Sequence, residues 1–237
     1  MANTLNLRPV EASFSLGDHI YAVLREAILD MNVYDPATDL RLDERALADE
    51  LKISRTPIRE ALVRLEQDGF VEVKARKGVY VLRKSLTEIT EMITVWAALE
   101  SMAARLATER ATDAEIKSLR GLAGRFSSDD AGAHIEEYSE ANIAFHQRIL
   151  ELSHCAMLKT IADGLFLHMR AVRRKAMEEK DRSSRSVVEH MSIIEALEAR
   201  DADRAEREVR NHTMRLHDHV RDAWRDLDKI TRANAAR

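Results

Sequence analysis

Residues 42–81 read LDERALADELKISRTPIREALVRLEQDGFVEVKARKGVYV, and two hydrophobic rhythms meet inside them. Leu47 and Leu51 stand one helical turn apart, and Ile58, Leu62 and Leu65 form a second stripe at helical spacing. Between them Ile53-Ser-Arg-Thr-Pro57 is a tight turn whose proline falls in the first turn of the next helix, where a missing N–H costs little. Gly69 stands where a C-terminal cap is expected. Beyond it the period drops to two: Phe70-Val-Glu-Val73 and Val79-Tyr-Val-Leu82 alternate as half-buried strands, joined by Lys74-Ala-Arg-Lys-Gly78. Upstream, Ile20, Leu24, Ala27, Ile28 and Met31 predict an earlier helix starting near Asp18. Asn32–Leu42, with Asp35, Pro36 and Asp39, reads as a loop. Three helices followed by a two-stranded ribbon make a winged helix-turn-helix.

The charge distribution agrees with that fold. The chain as a whole carries a formal charge of -4, yet from Lys52 to Lys84 nine Lys/Arg face four acids, a local net +5. A basic segment in an acidic protein is either a solvated face or the electrostatic footprint of a phosphate backbone. On the third helix Arg55, Thr56 and Arg59 lie near the N-terminus, away from the apolar stripe, where a recognition helix meets base edges. Arginine can bond guanine bidentately there. Arg45 on the preceding helix can reach a phosphate or base, and the wing tip Lys77-Gly78 can approach the minor groove.

With only 7 Gly and 3 Pro among 237 residues, the turns of a sandwich or barrel are missing. After Arg83-Lys84 everything reads as helix, roughly 86–109, 113–126, 131–153, 155–178, 183–199 and 202–230, with capping boxes at Ser85–Glu88 and Thr112–Glu115. The expected organisation is a flexible arm (1–15), a winged helix-turn-helix (16–84), an antiparallel all-α bundle (85–230) and a short tail (231–237), giving a mainly α protein. The single Cys155 excludes an intrachain disulfide framework, and the opening MANTLNLRPV lacks the apolar core of a signal peptide. No membrane span is expected and the cytoplasm is the expected compartment.

Residues 42–81, with Leu-x-Glu-x-x-Leu-Ala and Ser-Arg-Thr-Pro-x-Arg-Glu-Ala-Leu (54–62), resemble the DNA reader of the GntR superfamily over about Asp18 to Leu82. The resemblance implies DNA contacts by Arg45, Arg55, Thr56 and Arg59, with Lys77 and Gly78 from the wing. One departure is Asn32-Val-Tyr-Asp-Pro-Ala-Thr-Asp, where relatives usually have a shorter Gly/Pro turn.

In the helical half, Asn142 and His146 are spaced i, i+4 and share a helix face, while His190 and His212 lie on two further helices. Three imidazoles turned inward would suit a divalent metal, although a lone buried histidine is more often a hydrogen-bonded core residue. Residues 86–220 resemble the FCD ligand-binding domain of the FadR subgroup, through Ala97-Ala-Leu-Glu-Ser-Met-Ala-Ala-Arg-Leu-Ala107, Asn142-x3-His146, Glu189-His190 and Arg210-Asn-His212. That resemblance implies a divalent ion, zinc, on Asn142, His146, His190 and His212. Asn142 stands where relatives have Asp, and Trp96 where many have an Arg that contacts the effector's carboxylate. A dication held only by neutral groups would attract an anionic effector directly. The remaining histidines, and Arg173-Arg174-Lys175, read as ordinary packing and a solvated helix face.

The expected function is a ligand-responsive transcription regulator, a repressor that binds a palindromic operator as a homodimer and senses a small organic acid in its helical domain. The alternatives are a helical domain that only dimerises, or a metal-dependent enzyme. No HExxH, activated nucleophile or paired carboxylates near the three histidines favour the enzyme.

Overall fold

The computed structural model describes residues 16–35, 37–123, 135–177 and 180–224. The expected arm at 1–15, the tail at 231–237 and the helix ends at 124–126, 131–134, 178 and 225–230 lie outside these. The chain forms two compact units: one of residues up to Met31 together with Asp39–Leu82, the other of Asn32–Thr38 together with residues from Arg83 onward.

The first unit is a winged helix-turn-helix. Helix α1 (Leu16–Asp30) packs on α3 (Arg55–Gln67), and α2 (Glu44–Leu51) also lies against α3. The buried stripe of α1 is Ile20, Leu24 and Ile28, with Leu29 inside and Ala27 exposed, a small shift from the sequence expectation. It meets Ile58, Ala61, Leu62 and Leu65 of α3. Asp43 caps α2 by accepting from the N–H groups of Arg45 and Ala46, both at 2.9 Å. α3 ends in a Schellman motif: the N–H of Phe70 reaches the Leu65 carbonyl at 2.8 Å and that of Gly69 reaches Glu66 at 3.0 Å. Gly69, at φ 73, takes the left-handed conformation the motif needs.

The ribbon has three strands, not two. β2 (Val71–Lys74) and β3 (Gly78–Val81) pair antiparallel, and a short β1 (Arg41–Leu42) adds to the free edge of β3, giving the order β1-β3-β2. β1 comes from the end of the segment expected to be loop. Two residues are too few to show an alternating pattern, so their pairing depends on β3 being there.

The second unit is a bundle of six helices among the described residues: α4 (Leu86–Arg110), α5 (Asp113–Ala123), α6 (Ile135–Leu152), α7 (Ala156–Met177), α8 (Lys180–Glu198) and α9 (Ala202–Ala223). Both expected capping boxes are formed, at Ser85/Glu88 and Thr112/Glu115. α8 begins three residues earlier than its sequence suggested. α4 is the central helix and packs most extensively against α9; Ala97, Ala103, Ala104 and Ala107, all buried, let a neighbouring backbone come close. Arg200, left-handed at φ 58, donates to the carbonyls of Thr108 (3.1 Å) and Ala111 (2.6 Å), closing the C-terminus of α4.

Segment 32–38 belongs to this second unit. Val33 and Tyr34 are buried, the Tyr34 ring lies 5.3 Å from that of Trp224 at the end of α9, and Arg83 donates to the carbonyls of Val33 and Asp35. Val33 and Tyr34 of the departing segment are therefore part of the packing of the helical unit.

Candidate nucleic-acid interface and metal centre

In the first unit Arg45, Arg55, Thr56 and Arg59 are all exposed, on α2 and the first turns of α3. Arg59 Nε donates to Glu44 Oε2 at 2.7 Å, which ties the two helices together and fixes one of the candidate guanidinium groups. Lys77 ends the β2–β3 turn, which its N–H closes on the Lys74 carbonyl at 3.0 Å, and Gly78 opens β3. Gly78 has φ +113, which a side chain would strain.

In the second unit the four other candidates come together. Asn142 and His146 on α6, His190 on α8 and His212 on α9 are all buried. Each of the three imidazoles offers a ring nitrogen, and the three nitrogens lie within 4.8 Å of one another. No other such group of ligating side chains occurs among the described residues.

The surroundings decide how these rings are oriented. Nδ1 of His146 faces Oε1 of Glu100 on α4, and Nδ1 of His212 lies 2.6 Å from Glu189 Oε2 on α8. With Glu100 and Glu189 ionised, each accepts from the ring it faces, which places the hydrogen on Nδ1 and leaves the lone pair on Nε2. Nε2 of His146 and Nε2 of His212 are 3.3 Å apart. Two lone pairs that close in a buried space repel, and a bound cation turns that repulsion into ligation. His190 stacks on Phe145 with ring centroids 4.0 Å apart, and Ser186 Oγ stands 3.4 Å from its Nε2 and 3.5 Å from Asn142 Oδ1. Asn142 Nδ2 makes no hydrogen bond to a described residue, a buried polar group of the kind that a ligand or ion rearranges. On chemistry and placement the donor set fits a divalent metal.

Sequence reasoning missed the second layer. Glu100 is wholly buried and accepts from Trp96 Nε1 (2.8 Å) and Thr213 Oγ1 (2.9 Å) as well as facing His146. Burial pushes its carboxyl above the usual carboxylate range, against the pull of Arg173 and His212. A signal was present: Glu100 interrupts the apolar stripe Ile93, Trp96, Ala97, Ala103, Ala104, and a carboxylate there must have a buried partner.

Arg173 corrects an expectation. It is buried at 2 % exposure, with its guanidinium carbon 5.4 Å from the centre of the Trp96 ring, so it is no part of a solvated face. The side chains of residues 174 and 175 lie outside those described.

Two family models account for most of the chain. Residues 16–81 match the gntR family of bacterial regulatory proteins, and residues 91–234 match the FCD domain. The HTH-type transcriptional repressor RspR of Escherichia coli K12 is 23% identical over 206 residues, covering 87% of this chain and 89% of that protein. The Nta operon transcriptional regulator of Aminobacter aminovorans is 38% identical over 123 residues, 51% of this chain and 58% of its own length. Among solved structures, E. coli McbR/YncC shares the fold at TM-score 0.71 with 20% identity, covering 90% of this chain and all of that one. A GntR regulator from Rhodococcus sp. RHA1 does so at TM-score 0.69 with 21% identity, covering 87% of this chain and 98% of its own. No described helix is long and apolar enough to cross a membrane. The chain belongs to the gntR family of bacterial regulatory proteins, as a DNA-binding transcription regulator with an FCD domain.

Proposed function

We propose that this regulator is a cytoplasmic repressor that binds a palindromic operator as a homodimer and releases it when a small carboxylate enters the helical domain. The observation that carries the effector half is the convergence of three buried imidazoles with Nε2 of two of them 3.3 Å apart. His146, His190 and His212, with Asn142 as the fourth group, would hold a divalent ion, zinc. Bound there, the ion would supply a Lewis-acidic centre that favours a carboxylate ligand.

The surrounding charges support an anionic effector. Glu189 is paired with Arg215 at 2.6 Å, and Glu100 feels Arg173 as its strongest favourable partner. A dication on neutral ligands keeps a local charge excess. Trp96, in the place where relatives carry an effector-binding arginine, is occupied with Glu100, so the ion is left as the anion-attracting group. DNA is held by Arg45, Arg55, Thr56 and Arg59 with Lys77 and Gly78. The division of labour follows the two compact units, residues up to 31 with 39–82 for reading and residues 32–38 with those from 83 onward for sensing and dimerisation. A relative named as a repressor favours that sign of regulation.

The first test is the metal content of untagged protein purified without chelators, with the His146→Ala/His190→Ala double variant as control. About one divalent ion per chain, lost in the variant, is expected. Asn142→Asp should then tighten metal binding and weaken release of DNA by small carboxylates. A folded wild type without metal leaves a metal-free pocket or a bundle that only dimerises.

A further inference from the structure

A glycine at the tip of a wing leaves that tip without a side chain, and the third strand fills the space. Arg41 of β1 pairs with Tyr80 of β3, so the two project from the same face of the sheet. Gly78, two residues before Tyr80, shares that face. A Cβ built on Gly78 would lie 3.6 Å from Arg41 Nε and 3.9 Å from its Nη2, with no other atom within 4 Å. The Arg41 side chain therefore runs along the sheet and lies against the wing turn.

The arginine is exposed, and its guanidinium makes no hydrogen bond or ion pair to a described residue; it acts on Asp43 only at a distance. Other basic residues of the reader are differently employed. Lys74 pairs with Glu72 at 3.7 Å and lies over the Tyr80 ring at 5.2 Å, Arg59 is held by Glu44, and Arg64 by Asp18. An edge strand of only two residues that carries an uncommitted guanidinium to a glycine-tipped wing is explained by a ligand at that tip. In a DNA reader that ligand is the duplex backbone.

We propose that Arg41 is a DNA-contacting residue, a wing-tip guanidinium supplied from β1 that binds a backbone phosphate beside the groove the wing approaches. Gly78 then serves two needs, its backbone conformation and the room for Arg41. The proposal depends on the family's DNA binding and not on the metal or effector reading.

The test uses the full chain and two labelled duplexes: one selected by wild type from a random pool, the other of unrelated sequence. Binding is measured across salt concentrations. Arg41→Ala should weaken both duplexes several-fold and reduce the slope of log affinity against log salt by about 1, while Arg41→Lys retains the slope. Arg55→Ala is the contrast and should lose the selected duplex preferentially. Thermal unfolding of each variant checks the fold, and Arg41→Gln offers a second neutral replacement that keeps side-chain length. An unchanged slope and affinity in both neutral variants overturns the proposal, whatever Arg55→Ala does. If Arg55→Ala also left binding intact, the reading of α3 would fall separately.

Discussion

At the scale of single residues, the histidine cluster depends on groups that never touch its centre. Glu100 and Glu189 hold Nδ1 of His146 and His212, and so turn both Nε2 lone pairs into one buried space. Glu100→Gln keeps the shape but weakens the acceptor. We expect it to lower divalent-metal affinity about 10- to 100-fold, read by competition with a chromophoric chelator, with the circular dichroism spectrum unchanged. Glu189→Gln should act in the same direction, since its carboxylate accepts from His212. The four candidate ligands were legible because spacing and family pattern both mark them. Glu100 and Arg173 were not, because each lies in a long helix of high helical propensity and acquires its role only when α4 meets the bundle. A charge on an apolar stripe was the clue for Glu100; for Arg173 the two basic neighbours in sequence pointed to solvent.

Helix and strand ends carry the next set of expectations. Asp43 accepts from the N–H groups of Ala46 and Arg45, and those bonds hold its carboxyl below the usual range. A depressed folded value means the added stability is present above the ordinary carboxylate pKa and is lost as pH falls through the folded value. Asp43→Asn keeps an acceptor but cannot titrate, so its unfolding midpoint should depend less on pH along the acid limb than that of wild type. Gly69→Ala forces a left-handed alanine into the Schellman turn and should cost about 1 kcal/mol or more in urea unfolding. Capping boxes, the helix-ending glycine and the strand alternation were all readable from sequence, since each is a local rule. The third strand was not, because Arg41-Leu42 has no strand character without β3 beside it.

Across the whole molecule, the two compact units give a way to separate reading from sensing. A ligand held only by the second unit stabilises that unit by mass action, about 2.7 kcal/mol at a free concentration a hundredfold above Kd. Calorimetry of metal-loaded protein before and after chelator treatment should therefore move the transition of the helical unit and leave that of the winged unit in place. Movement of both together would mean that the units unfold as one cooperative body. The segment 32–38 adds a condition on how such units are isolated. It enters the helical unit between two elements of the reader, so the chain passes from one unit to the other three times rather than once. A gene cut after codon 84 would leave the sensor fragment without Val33 and Tyr34 against Trp224, and the reader fragment with those two apolar side chains stripped of their cover. Swapping sensors between relatives thus calls for a graft at two places: the junction after the wing, and the inserted loop between the first helix and the edge strand.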